Sequence, residues 1–119
     1  MTKRPEEAIQ RGAAALLRLY ENQGRLTFFH PANGGSRSRA EAGIFKAMGV
    51  KAGVPDLVIL WRTPLGPAHG YIEVKAGKGK LTDSQIAWRD LCRRWDIPWA
   101  ELRDAAELPA ILKDWGVLP

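Results

Sequence analysis

Two carboxylates and a lysine stand beside two apolar segments, in a pattern that suits phosphate chemistry. Glu73 and Lys75 are one residue apart in an apolar stretch, and Asp56 directly precedes the apolar run 57–61. Because side chains alternate along a β-strand, Glu73 and Lys75 are predicted to point to the same side. If the two segments pair as strands, two carboxylates and an ammonium meet. Carboxylates suit Mg²⁺ and the ammonium can orient water or stabilise phosphate charge, which predicts metal-assisted phosphodiester hydrolysis.

Each of these residues also has a plainer explanation. Asp56 follows Pro55 and could cap a turn. Glu73 and Lys75 could form a surface pair on an amphipathic strand whose apolar residues face the core. The three residue types alone leave both interpretations open.

The charge of the chain is compatible with a nucleic-acid partner. The formal net charge is +5, and basic domains of this size often meet nucleic acid. Basic residues lie on both sides of the acidic ones along the chain, namely Arg37, Arg39, Lys46, Lys51, Lys78 and Lys80. A solvated basic surface explains the charge equally well.

Length and cysteine content restrict the class of protein. The 119 residues are expected to form one domain, 1–119, around a single core. No apolar stretch approaches the roughly 20 residues that span a bilayer, and the N-terminus lacks the apolar segment of a secretory signal. Cys92 is the one cysteine, which excludes an internal disulfide and a cysteine zinc cluster. A cytoplasmic location is the expectation.

A helix from Pro5 to about residue 23 is predicted to present one of two acidic residues to the interior. Its apolar stripe consists of Ile9, Ala13, Leu16, Leu17 and Tyr20. On the helical wheel Glu6 leans toward this stripe and Glu7 toward water. An acidic residue on a core-facing edge needs a partner such as a metal, lysine or arginine, although acids are also common near helix N-termini.

The remaining elements alternate between strands and helices. We predict a short strand over 25–29, a loop over 30–37, a helix over 38–48, a strand from 56, a hairpin loop over 61–70, a strand over 71–75, a helix from the Thr82–Gln85 capping box, a strand within 96–102, and a last helix interrupted at Pro109. This order predicts an α/β fold with three layers. Four tryptophans are predicted to pack in the core: Trp61, Trp88, Trp95 and Trp115.

Several motifs together resemble the VRR-NUC family of the PD-(D/E)xK nuclease superfamily. They are GVPDL at 53–57, IEVK at 72–75, LTDSQ at 81–85, EEAIQ at 6–10, HPANGG at 30–35 and MGV at 48–50. The resemblance covers nearly the whole chain in the family's order. It implies a restriction-endonuclease-like three-layer core with a mixed central sheet flanked by helices.

The resemblance also implies a metal-dependent active site. Asp56 and Glu73 would be ligands of Mg²⁺ or Mn²⁺ together with the carbonyl oxygen of Val74. Lys75 would be the catalytic lysine. Glu6 would be the N-terminal acid of the site, although Glu7 remains possible.

One further site residue has two compatible interpretations. The resemblance implies that Gln85 lies near the active site. Gln85 also stands at the third position of a capping box, where it can bond back to the Thr82 amide.

The resemblance further implies that the partner is DNA. Stand-alone members of this size are similar to dimeric phage and prophage endodeoxyribonucleases that act on branched DNA such as four-way junctions. The residues expected to contact the DNA backbone are Asn33, Arg37, Arg39, Lys78 and Lys80. Two alternatives stay open: a non-catalytic nucleic-acid-binding module with the same fold, and a sequence-specific restriction-type nuclease. No membrane partner is expected.

Overall fold

A computed structural model describes residues 3–32 and 38–119 of the chain. Its elements are α1 (Lys3–Asn22), β1 (Thr27–Phe29), α2 (Arg39–Ala47), β2 (Leu57–Thr63), β3 (Gly66–Val74), α3 (Asp83–Arg94), β4 (Trp99–Leu102), a short 3₁₀ turn (Ala105–Glu107) and α4 (Leu108–Asp114). The predicted alternation of helices and strands is therefore confirmed.

The four strands form one mixed sheet in the order β1-β2-β3-β4. The first two pairings are antiparallel, and β3 runs parallel to β4. Leu57 at the start of β2 lies opposite Ile72 near the end of β3. On the other side of β3, Glu73 lies opposite Glu101 of β4. The start of β2 and the ends of β3 and β4 therefore meet at one end of the sheet.

Helices cover both faces of the sheet. The stripe of α1 and the apolar side of α4 enclose the core on one face, where Ala13, Leu17 and Leu112 are fully buried. On the other face, the ring of Trp88 from α3 meets the ring of Tyr71 edge-on at 5.6 Å. Cys92 in α3 is buried as well. The predicted α/β fold with a mixed central sheet flanked by helices is confirmed.

The predicted helix starts follow local capping chemistry. The Thr82 hydroxyl accepts from the Gln85 amide at 3.3 Å, while the Gln85 side-chain oxygen accepts from the Thr82 amide at 2.8 Å. Asp104 and Glu107 form a second capping box, and Pro109 lies in the first turn of α4. By contrast, α2 begins at a Ser38 cap but has no buried residue.

The predicted hairpin loop over 61–70 is wrong. The strands continue almost to the turn, with Arg62 opposite Pro67 and Thr63 opposite Gly66, so that Pro64–Leu65 alone connects them. Pro64 and Pro67 favour a loop in the sequence, because proline cannot donate to a ladder. However, β4 pairs with β3 only from Tyr71 onward. The first half of β3 is therefore an edge, where a proline is tolerated.

The prediction that four tryptophans pack in the core is wrong for one of them. Trp61 is buried and Trp115 stacks on it, but Trp95 is 66% exposed. Trp95 is the C-cap of α3, and Asp96 directly after it has a left-handed backbone with φ of 56°. The helix thus ends before its apolar stripe can place this ring against the sheet.

Among the helices in the described part of the chain, none is long and apolar enough to cross a bilayer.

Candidate active site

The open end of the β2–β3 hairpin brings Asp56 and Glu73 together. Asp56 directly precedes β2, and the Leu57–Ile72 pairing places it beside the end of β3. Its Oδ2 accepts a hydrogen bond of 2.8 Å from the amide of Val74. This bond holds the Asp56 carboxylate against the strand that carries Glu73 and Lys75.

Glu73 is the most unusual group of the site. It is 2% exposed, and its Oε1 has no hydrogen-bond partner. Burial first, and then the hydrogen bond to Asp56 and that residue's negative charge, together raise the pKa of Glu73 to about 9. Lys75 opposes the rise in pKa and Glu6 adds to it. At neutral pH the carboxyl therefore stays protonated and shares its proton with Asp56 unless a cation offsets the charge.

Lys75 and Glu6 complete the group from two other directions. Lys75 continues β3 and is 8% exposed, and its amide donates to the Leu102 carbonyl at 3.0 Å. A methyl group placed on Gly79 would lie 3.9 Å from both Glu6 Oε1 and Lys75 Cδ. The N-terminal turn of α1 therefore reaches the same end of the sheet.

The two acidic residues of the first turn of α1 have different environments. Glu6 is half-buried. The Glu7 side chain is 58% exposed and pairs with Arg11 at 3.3 Å. These orientations agree with the helical wheel.

His30 was not predicted as a site residue, yet it contacts the site. Its Nδ1 lies 2.6 Å from the carbonyl oxygen of Asp56. Nδ1 is the donor in this pair, because a carbonyl oxygen can only accept. The HPANGG motif at 30–35 was the available signal in the sequence.

Gly53 lies against the start of α3. It has φ of 85°, and a Cβ atom there would collide with the Ser84 carbonyl oxygen. Only glycine permits this approach of the two backbones. Gln85, in the same first turn, uses its side-chain oxygen in the Thr82 cap. The capping interpretation of Gln85 is thus confirmed, and its place near the active site stays a prediction.

Of the predicted DNA contacts, the structure places Lys78 and Lys80 next to this end of the sheet. Asn33 and Arg37 lie outside the described residues. Arg39 is the exposed first residue of α2, and Lys78 and Lys80 are exposed in the loop that follows Lys75.

Arg103 holds the loop after Lys75 and was not predicted as a site residue. Its guanidinium donates at 2.8 Å to the carbonyl oxygens of Gly77 and Gly79 and to Glu101 Oε2. Nothing in the local sequence pairs this arginine with a loop 24 and 26 residues away.

The donor set fits a divalent cation in its chemistry. Within 3–32 and 38–119, no group of three or more His, Cys, Asp and Glu side chains stands ready to hold an ion. What the site offers is a close pair of carboxyls, with Glu6 near enough to be felt electrostatically. A cation with oxygen ligands would satisfy both the unpartnered Glu73 oxygen and the lack of an ion pair to Asp56 or Glu73 within the described residues.

Comparison with known proteins supports the same chemistry. The model of the VRR-NUC domain family matches residues 6–105. A Pseudomonas aeruginosa protein named Fanconi-associated nuclease 1 homolog is 36% identical over 52 residues, which are 44% of this chain and 9% of that protein. The chain therefore matches only a small part of that relative's length. No solved structure matches.

Proposed function

Because the chain belongs to the VRR-NUC domain family, we propose that it is a Mg²⁺- or Mn²⁺-dependent DNA endonuclease that acts on branched DNA such as four-way junctions. The family is one of nucleases that generally use divalent metals. We further propose that the protein forms a homodimer and is located in the cytoplasm.

One observation carries the proposal: the buried Glu73 carboxyl is paired with a second carboxyl and has no ion-pair partner among the described residues. Glu73 is 2% exposed, its Oε1 has no partner, and Asp56 is held against it by the Val74 amide. A merely structural strand has no use for such a pair, because an uncompensated buried acid costs stability. Asp56, Glu73 and the Val74 carbonyl would hold the cation, and Glu6 would assist through water. When bound, the cation lowers the pKa of a water and offsets phosphate charge.

Lys75 is proposed as the catalytic lysine. It is buried beside Glu73 and makes no ion pair with any described carboxylate. Its ammonium is therefore free to orient the attacking water or to stabilise the charge that develops on the phosphate. The water oxygen bonds to phosphorus as the P–O3′ bond breaks. The products are a 5′-phosphate and a 3′-hydroxyl.

DNA binding is proposed to rest on phosphate contacts. Lys78 and Lys80 are exposed cations in the loop that follows Lys75, and Arg39 is exposed at the start of α2. Asn33 and Arg37 are assigned the same role from the sequence. Contacts to phosphates position a protein on DNA without reading bases. Selection then comes from the shape and flexibility of the DNA, which favours junctions over a defined sequence. A twofold dimer would offer two such sites to one junction.

The experiment compares a labelled four-way junction with a linear duplex of the same arms. We expect cleavage of the junction with Mg²⁺ or Mn²⁺ and none in EDTA. Lys75→Ala should lower the cleavage rate at least about a hundredfold, because it removes charge stabilisation from the reacting phosphate. Binding in EDTA should change by less than about threefold, since one lysine supplies a small share of the phosphate contacts.

The control is Lys113→Ala, which removes an exposed lysine of α4. It should cleave like the unmodified chain. Metal-independent binding without cleavage would replace the proposal by a non-catalytic binding module. Discrete fragments from a long linear duplex would replace it by a restriction-type nuclease.

A further inference from the structure

Arg103 lies at the edge of the candidate active site, where it connects the end of β4 to the loop after Lys75. It directly follows β4, whose last residue, Leu102, accepts from the Lys75 amide at 3.0 Å. Its side chain donates to Gly77 O, Gly79 O and Glu101 Oε2, each at 2.8 Å. Three of the five N–H groups of the guanidinium are thus used within the protein.

The loop that Arg103 holds passes close to two of the proposed catalytic groups. Gly77 has φ of 53°, and the Gly79 amide closes a turn onto the Ala76 carbonyl at 2.9 Å. A methyl group added at Gly79 would come within 3.9 Å of Glu6 Oε1 and of Lys75 Cδ. A displacement of this turn therefore changes the space next to both side chains.

Arg103 also controls a second negative charge near Glu73. Glu101 is the register neighbour of Glu73 on the adjacent strand, so both side chains project from the same face. Like charges in such positions repel each other. The ion pair with Arg103, at 2.8 Å between Nε and Oε2, engages the Glu101 carboxylate.

We propose that Arg103 is a positioning residue of the nuclease site, which anchors the loop 76–80 and thereby places Lys75, Glu6 and the loop lysines for reaction. This inference rests on the proposed function for its catalytic consequence, but the anchoring itself is a property of the protein alone. Arginine is required because its planar fork reaches two carbonyls and a carboxylate at once. A lysine is a point charge that cannot do so.

The first measurement uses limited trypsin digestion in EDTA, because Lys78 and Lys80 are trypsin sites within the anchored loop. We expect Arg103→Gln and Arg103→Lys to speed cleavage after these lysines about tenfold, since charge-assisted hydrogen bonds that close the loop are lost. The matched control is Arg62→Gln, which removes an exposed arginine at the opposite end of β2. It should leave the cleavage rate unchanged.

The second measurement is junction cleavage with Mn²⁺. Both Arg103 variants should lower kcat about 10- to 100-fold, because misplaced catalytic groups act on a bound substrate. Their KM should stay within about threefold. Glu101→Gln should have a smaller effect, since it leaves both loop carbonyls bonded to Arg103.

Three results would overturn the proposal. Unchanged digestion and cleavage rates in Arg103→Lys would mean that the positive charge at this position is enough and that the hydrogen-bond geometry of arginine is not needed. A raised KM with unchanged kcat and unchanged digestion would make Arg103 a phosphate contact. Unchanged digestion of Arg103→Gln would remove the anchor even if the chain had no nuclease activity, whereas faster digestion of an inactive chain would support the anchor and overturn only the proposed function.

Global unfolding of Arg103→Gln would show itself as cleavage throughout the chain. In that case amide hydrogen exchange of Arg103→Lys decides. Faster exchange confined to 76–80 supports the anchor, and uniformly faster exchange overturns it.

Discussion

The two ends of the β2–β3 hairpin serve different purposes within one pair of strands. At the turn end, the rings of Trp61 and Trp115 stack with centroids 5.8 Å apart, and Gly70 leaves the room that the Trp115 ring fills. At the open end, about 20 Å away along seven residues of strand, the Asp56 and Glu73 carboxyls approach each other, and the negative charge of Asp56 helps to raise the pKa of Glu73. Apolar packing at one end stabilises the ladder that holds two carboxyls together at the other.

The largest expected effect is a loss of activity at the open end. Glu73→Gln removes a proposed ligand and should lower junction cleavage roughly a thousandfold. The same change should stabilise the metal-free protein at pH 8, because it removes a carboxyl that prefers to be ionised in the unfolded chain. Cleavage assays and urea unfolding in EDTA measure the two effects.

The pH dependence of stability tests the same group. Burial raises the pKa of Glu73 from 4.5 to about 9, so the folded protein holds a proton that the unfolded chain has lost. The free energy of unfolding should therefore be highest below about pH 4.5, as far as Glu73 is concerned, and should fall as pH rises toward 9, by at most about 1.4 kcal/mol per unit. Adding Mn²⁺ at pH 8 should restore stability. Equal slopes for Glu73→Gln and the unmodified chain would contradict this account.

At the turn end, a substitution should lower stability and leave catalysis nearly unchanged, which is the reverse of what is expected at the open end. Trp61→Ala removes a buried ring and should lower the free energy of unfolding by about 3–5 kcal/mol. Cleavage per folded molecule, measured at low temperature, should stay within about threefold because the open end is untouched. Trp95→Ala serves as the control, since this ring is 66% exposed and its removal should cost less than about 0.5 kcal/mol. A large loss of catalysis in Trp61→Ala would show that the two ends are not independent.

The smallest expected effects concern the two histidines of the chain, of which His30 lies at the open end and His69 on the side of the turn. His30 Nδ1 bonds to the Asp56 carbonyl at 2.6 Å, whereas His69 is exposed and meets the Tyr71 ring edge-on. His30→Ala should lower kcat about tenfold by loosening Asp56, with about 1 kcal/mol lost in stability. His69→Ala should change neither. Identical behaviour of the two variants would remove His30 from the site.

Local patterns sufficed for much of the fold and for part of the site. The stripe of α1 and the capping boxes depend on residues three or four apart, and the helical wheel alone distinguished Glu6 from Glu7. The alternation of side chains placed Glu73 and Lys75 on one side. These features require no knowledge of what packs against them.

Features that depend on distant partners were missed. Pro67 can lie in a strand because β4 pairs with β3 only from Tyr71 onward. No local signal in the sequence shows where this pairing stops. His30 and Arg103 act on backbone carbonyls more than 20 residues away, and any residue offers a carbonyl. Trp95 differs from Trp88 because α3 ends there, although both belong to the same apolar pattern.

The buried thiol of α3 has a practical consequence. Cys92 is the one cysteine of the chain and is 1% exposed. An alkylating reagent can therefore modify the folded protein only when α3 lifts from the sheet. The rate of labelling, measured by mass spectrometry on the unaltered chain with and without bound DNA, therefore reports how often α3 opens.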